Sequence, residues 1–442
     1  MSASSAQTAT APPPAKKSLP PMRGLPESDN GLPGAGPIRR QEWFRDTWNG
    51  RRNAWAERGQ QDSGALVFFG DSITQGWGDD FGGAFPGVKL ANRGISGDTT
   101  RGMLVRLDDD VLALDPQGVV MLMGTNDIEE QASPATIAGN IKLIVEKLKE
   151  HNPQMPVVLC EVMPSAKEMR RPAATIRELN RLLGELVEDQ PQVTLLDTWT
   201  LFANASGDAK SEEFPDLLHP NAAGYAKWAK ALRPVLATQG LLKTEPDNFV
   251  PEDGYENLFN GHDLTGWGLR PTSAGDIKAR AEWQASDPDA AIWPIITEST
   301  SFDGKTASDN GRFVAKDGRL IVTTPSEGRK IEQLFTEREF PKDFTLKLEF
   351  RGTPNADSGI YIRGTQLQCR DYALAGPYTK LKNYKPQDWN EIVVEVKGDT
   401  ARATCNGEVL EESLQVPATG PIGVEGDRGQ MEYRRIRVKE AE

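Results

Sequence analysis

Five short apolar runs, at 65–69, 88–91, 119–123, 157–162 and 193–196, punctuate the first half of the chain. Most are near-continuous rather than alternating, the pattern of strands buried on both faces of a parallel sheet. Amphipathic stretches lie between them: one at 137–151 carries Ile141, Ile144, Val145 and Leu148 on one stripe, another covers 176–187, and a third follows at 225–237. Strands alternating with helices predict a doubly wound α/β domain. Ahead of the first strand, Trp43, Phe44, Trp48 and Trp55 recur at helical spacing, so an amphipathic helix is expected over 41–57.

The pattern changes after residue 240. The stretch 241–254 holds Pro246, Pro251 and Gly254 among acidic residues and reads as a linker. Beyond it Phe344, Leu346, Leu348 and Phe350 alternate with polar residues, as do Ile392, Val394 and Val396, and Asn406-Gly407 is a hairpin turn. Residues 255–442 are therefore expected to form an antiparallel β domain. Residues 1–37, rich in Ala, Ser, Thr, Pro and Gly, have too little apolar surface to offset the entropy of ordering and are expected to be a disordered tail. That leaves 38–240 as the α/β domain.

At 442 residues the chain exceeds what one core supports, which agrees with two domains. Its net charge of −13 repels polyphosphate backbones, so no nucleic-acid partner is expected. Cys160, Cys369 and Cys405 are too few and too scattered for a disulfide framework or a thiolate metal site, and Cys160 reads as a buried thiol. No metal or other cofactor is expected. No run approaches the ~20 apolar residues of a membrane span. The opening lacks the apolar segment of a signal peptide, but an exported periplasmic or extracellular protein supplied without its leader would look the same, so the compartment stays open.

Candidate chemistry gathers at the ends of the expected strands. Phe69-Gly70-Asp71-Ser72 puts a serine where the first strand gives way to a helix, at the carboxyl edge where α/β sheets form crevices. Thr74 stands where a G-x-S-x-G elbow needs its second glycine, so Ser72 could equally be a helix-cap residue. After the second strand comes Asn92-Arg93-Gly94-Ile95-Ser96-Gly97-Asp98, and after the third Gly124-Thr125-Asn126-Asp127. Gly94 could offer a backbone N–H and Asn126 a side-chain amide to the same oxygen as the Ser72 N–H, making a three-donor oxyanion hole. Read singly, Gly94 is a turn glycine and Asn126 a cap. Of the three histidines, His151 ends a helix and His262 lies in the second domain. His219, in Asp216-Leu217-Leu218-His219, follows the last strand, and Asp216 could hold its ring toward Ser72.

These four ordered segments resemble the blocks of the SGNH (GDSL) hydrolase superfamily over roughly 65–236. The resemblance implies a flavodoxin-like three-layer fold. It also implies Ser72 as nucleophile, Gly94 and Asn126 as oxyanion donors, and Asp216 with His219 as orienter and base. Asp71, Asp98 and Asp127 read as structural hydrogen-bonding groups. The short connections leave no room for a large apolar lid, so a small soluble acyl ester, such as O-acetyl on a carbohydrate, is the expected substrate.

In the second half, the segments at 258–267, 343–351, 358–364 and 420–423 resemble the 3-keto-disaccharide hydrolase domain, a concanavalin A-like jelly roll. The chain departs from that family's pattern at Gln366, where Glu is expected, and at Asp427-Arg428, where His-Gly is commoner. Trp267, Trp283, Trp293 and Trp389 could stack on sugar rings or simply fill a core. Glu349 and Asp357 are possible acidic groups. Two readings follow: an esterase with a sugar-binding or structural appendage, or a bifunctional protein whose second domain also cleaves glycosides.

Overall fold

The computed structural model describes residues 24–188, 190–288 and 290–441. Strands β1 (Leu66–Gly70), β2 (Leu90–Gly94), β3 (Gly118–Leu122), β4 (Val157–Cys160) and β5 (Val193–Leu196) form a parallel sheet in the order β2-β1-β3-β4-β5. The chain reverses its direction of travel at β1, so the crevice of such a sheet opens beside the end of that strand. Helices α3 (Thr100–Asp110), α5 (Pro134–His151) and α6 (Ala173–Val187) cover the face bearing Val67, Phe69 and Met121. The opposite face, with Phe68, Val120 and Val158, packs on Trp228, Leu232 and Leu236 of α8 (Ala222–Thr238). Helix α1 (Glu42–Asp62) buries Phe44, Trp48 and Trp55 against Ile95.

Two expectations shift. Strand β2 does not end at Ala91 but runs on through Asn92, Arg93 and Gly94, residues whose polarity suggested a turn. Both polar side chains are buried with partners: Asn92 Nδ2 donates to Thr74 O at 2.8 Å and Arg93 Nη2 to Asp62 Oδ2 at 2.8 Å. The expected tail at 1–37 also differs in its last part. Residues 24–37 lie against α3 and α5, with Ala35 N donating to Asn140 Oδ1 at 3.0 Å and Arg101 Nη1 to Gly36 O at 2.9 Å. Residues 1–23 lie outside the described residues.

The second half is a β-sandwich. One sheet runs β17 (Glu408–Gln415), β16 (Thr400–Cys405), β15 (Asn390–Lys397), β12 (Phe344–Gly352), β19 (Met431–Glu440), β10 (Arg319–Val322), β9 (Phe313–Lys316), with β6 (Glu256–Asn257) also on β19. The other runs β14 (Thr365–Gln368), β13 (Gly359–Ile362), β18 (Ile422–Gly426), β11 (Glu332–Thr336), β7 (Trp267–Leu269), β8 (Thr300–Ser301). Burial alternates residue by residue along β12, so one face meets the shared core. Trp267, a candidate sugar platform, is instead core: it is fully buried and its Nε1 donates to Leu258 O at 2.7 Å. The stretch 241–254 is pinned to β19, with Asp247 accepting from Arg435 Nε at 2.8 Å. The two halves touch, since Asn355 Nδ2 donates to Asp197 Oδ2 at 2.8 Å and Gln430 Nε2 to Thr238 Oγ1 at 2.9 Å.

At the carboxyl edge of the parallel sheet, one side chain joins several elements. Arg106 is fully buried; it donates to Gly70 O at the end of β1, to Arg93 O in β2, and to Asp98 Oδ2, at 3.0, 3.0 and 2.7 Å. Removing one partner of a buried ion pair leaves the other charge uncompensated. Arg106→Met is therefore expected to destabilise the chain by about 3–5 kcal/mol. Urea unfolding followed by tryptophan fluorescence measures it, and a cost below about 1 kcal/mol would show the guanidinium to be dispensable.

Candidate active site

Gly70 ends β1 where no other residue fits: a Cβ there would lie 2.3 Å from Thr74 Oγ1 and 2.5 Å from Leu122 O. The tight approach lets Asp71 turn the chain and cap the short helix α2 (Ser72–Gly76), its Oδ1 accepting from Ile73 N at 2.9 Å. Ser72 is left half-buried at the mouth of the crevice. Tyr225 of α8 braces this turn, donating from its hydroxyl to Ile73 O at 2.8 Å.

His219 Nε2 lies 2.9 Å from Ser72 Oγ, and its Nδ1 lies 2.7 Å from Asp216 Oδ2. The other oxygen of Asp216 accepts from the His219 and Leu218 backbone amides at 2.7 and 3.0 Å. Burial works against the Asp216 carboxylate, but the hydrogen bonds from His219 and Leu218 outweigh it and hold its pKa below the ordinary value. Leu217, between them, sits at φ 60°, a left-handed conformation that a leucine adopts only when its surroundings impose it. Ser165 Oγ supplies part of that restraint by donating to Leu217 O at 2.7 Å. The local turn thus aims one carboxylate at both the backbone and the ring of its own histidine.

The donors expected to face Ser72 divide. Asn126, on α4 (Thr125–Glu129) just after β3, is buried, its Nδ2 donating to Asp98 O at 2.9 Å with one further N–H to spare. Gly94 does not offer its N–H: that group donates to Asn92 Oδ1 at 2.9 Å. Gly94 is instead a packing glycine, because a Cβ there would lie 2.3 Å from Gln75 N. The unpaired amide in this loop among the described residues belongs to Gly97, at φ 84°. The Ser72 N–H is likewise unpaired. The sequence contained a signal for Gly97, since it too stands in the loop after β2, but the nearer glycine drew the role.

The remaining aspartates are structural. Asp98 receives Arg106 and the Thr99 amide, and Asp127 receives the amide and hydroxyl of Thr100 at 2.9 and 2.6 Å. Burial pushes Asp71 and Asp98 up to about 6 and Asp127 to about 7. His151 pairs with Asp115 at 3.3 Å, far along the chain from the crevice residues.

A parallel α/β sheet with this Ser–His–Asp contact at its carboxyl edge is the architecture of an ester-hydrolysing enzyme. The chain belongs to the GDSL-like lipase/acylhydrolase family, whose model matches residues 68–227. A second model, the 3-keto-alpha-glucoside-1,2-lyase-like domain, matches 254–439. Platelet-activating factor acetylhydrolase IB subunit alpha1 of Pongo abelii is 31% identical over 182 residues, covering 39% of this chain and 74% of that protein. The alpha2 subunit of Homo sapiens is 28% identical over 209 residues, covering 46% and 88%. The crystal structure of a GDSL-like lipase from Bacteroides thetaiotaomicron is 24% identical, with a TM-score of 0.38, covering 42% of this chain and 97% of that one.

The second domain has a cavity of about 830 Å³, lined among others by Trp283, Trp293, Arg329, Gln366, Glu425 and Asp427. Gln366 and Asp427, two of the departures from the family pattern, therefore face this space together. Gln366 Nε2 donates to Glu425 Oε1 at 2.7 Å, and Asp427 receives Arg329 Nε at 2.6 Å. Trp283 is 47% exposed on α9 (Ala274–Ser286), whereas Trp389 is covered by the guanidinium groups of Arg351 and Arg434. Glu349 and Asp357 are held by different arginines and neither lines the cavity.

Burial, then the charges of Asp427 and Asp357, push Glu425 up to about 7, against a hydrogen bond from Tyr361. The folded protein keeps a proton there that the unfolded chain gives up at lower pH. This group's contribution to stability is thus greatest in acid and is lost as pH rises toward about 7. Glu425→Gln removes that titration while keeping size and polarity. On raising pH from about 5 to about 8, its melting temperature should fall less than that of the parent chain. Equal falls in both would contradict the assignment.

Proposed function

We propose that the α/β domain is a serine esterase acting on short acyl esters, O-acetyl groups on carbohydrate foremost. The observation that carries this reading is the continuous chain Asp216 Oδ2, His219, Ser72 Oγ, with contacts of 2.7 and 2.9 Å. His219 Nε2 takes the proton of Ser72 as Oγ attacks the ester carbonyl, and Asp216 keeps the ring in the tautomer that can accept it. The Ser72 and Gly97 amides, with Asn126 Nδ2, receive the developing oxyanion. His219 then returns the proton to the leaving alcohol, and water attacks the acyl-enzyme by the same route.

Short acyl groups are favoured because relatives of the chain carry the name acetylhydrolase. Carbohydrate is favoured by the second domain, whose cavity presents Trp283 and Trp293 beside carboxylate, amide and guanidinium groups, a combination suited to sugar rings. A tethered sugar site would raise the local concentration of acylated glycan at the esterase. The same cavity favours a second reading, in which the sandwich itself cleaves glycosides with Glu425 as its proton-carrying acid.

Ser72→Ala in the full chain tests both. Hydrolysis of nitrophenyl acetate and of acetylated oligosaccharides should fall to background, and activity of the parent chain should decline as the nitrophenyl acyl chain lengthens. More than trace esterase activity in the variant would overturn Ser72 as nucleophile. Cleavage of a glycoside or 3-keto-glycoside retained by the variant would establish the second reading.

A further inference from the structure

We propose that Arg39, acting with Arg171, fixes the orientation of the Asn126 amide, so that the segment ahead of α1 is a working part of the esterase crevice. This rests on the reading of Asn126 as an oxyanion donor. Asn126 Oδ1 faces two guanidinium groups, Arg171 Nη2 at 3.2 Å and Arg39 Nη1 at 3.5 Å. An amide can satisfy two cationic donors only with its oxygen, so the flip is decided chemically and Nδ2 must be the atom that donates to Asp98 O. Donation to the oxygen also polarises the amide and strengthens its N–H groups as donors.

Two guanidinium groups this close repel unless a carboxylate lies between them. Glu129 Oε2 accepts from Arg39 Nη2 at 2.6 Å and from Arg171 Nη2 at 2.7 Å, and Glu130 takes Arg39 Nε at 2.8 Å. Each nitrogen of Arg39 is thereby engaged with the protein, which makes it a positioning residue rather than a substrate ligand. Arg171 is tied further to Thr125 O at 3.1 Å, at the base of α4.

The same segment grips the other donor loop. Thr99 Oγ1 donates to Pro37 O at 2.7 Å. A Cβ on Gly97 would lie 2.5 Å from the Trp43 ring and 3.1 Å from Arg39 Nη1. Arg39 therefore stands between the loop that carries the Gly97 amide and the helix that carries Asn126. Trp43, half-exposed, closes the outer side of that junction.

The test is a double-mutant cycle in the full chain, with nitrophenyl acetate as the probe and thermal melting as the check on folding. Asn126→Ala alone should lower kcat by about 10²–10³, and Arg39→Ala by about 10-fold with KM changed less than about 2-fold. In the Asn126→Ala background, Arg39→Ala should cost much less than in the parent chain, because the amide it positions is gone and only its contact with the Gly97 loop remains to be lost. Arg39→Lys, which keeps the charge but not the fork, should fall between Arg39→Ala and the parent chain. If Arg39→Ala does not fold, the Lys variant carries the cycle. An Arg39 effect of equal size with and without Asn126, a change confined to KM, or no change at all would overturn the proposal. Failure of Asn126→Ala to lower kcat would instead overturn the oxyanion reading beneath it.

Discussion

A single buried guanidinium, that of Arg106, joins the two strand ends that flank the crevice. By donating to Gly70 O, Arg93 O and Asp98 Oδ2 it fixes the turn that carries Ser72 and the loop that carries Gly97. Asp98 passes the constraint on, because its carbonyl oxygen receives Asn126 Nδ2. Ser72, the proposed nucleophile, and its proposed oxyanion donors thus share one electrostatic anchor. A buried arginine costs several kcal/mol in lost hydration, and here the cost is offset by acceptors that are themselves parts of the crevice.

Cations and carboxylates are layered outward from that anchor. Asp71, Asp98 and Asp127, all buried, are pushed up to about 6, 6 and 7, because burial disfavours their charged forms. Next to Asn126, Arg39 and Arg171 are balanced by Glu129 and Glu130, so that cluster holds the amide oxygen without adding net charge. Asp216, by contrast, is half exposed, and the hydrogen bonds of its own turn hold its pKa below the ordinary value, which suits the orienting role proposed for it. One edge of the sheet therefore holds carboxylates shifted in opposite directions, upward by burial and downward by hydrogen bonding.

The sequence exposed whatever rests on local pattern. Apolar runs announced the parallel strands, and the alternation of Phe344 to Phe350 announced β12. Ser72 stood out as the residue just after β1, and Asp216 with His219 as a short motif ahead of α8; that the three touch is what the fold adds. Features built from distant polar residues were hidden. Strand β2 continues through Asn92 and Arg93, whose partners Thr74 and Asp62 are remote in the chain, so their polarity mimicked a turn. Arg39 meets Asn126 across 87 positions, and no local periodicity records such a pairing. Gly94 and Gly97 stand in the same motif, and only the fold tells which amide is already taken. Trp267 and Trp283 are equally aromatic on paper, yet one fills the core and the other rims a cavity.

The central claim is that Ser72, activated by His219, is the acylated residue. It is tested most directly by treating the full chain with a nitrophenyl phosphonate ester, which traps an activated serine as a stable tetrahedral adduct, and reading the intact mass and the modified peptide. The account predicts one adduct per chain, on Ser72, forming in step with the loss of esterase activity. An adduct on another residue, or full inactivation with Ser72 unmodified, would contradict it.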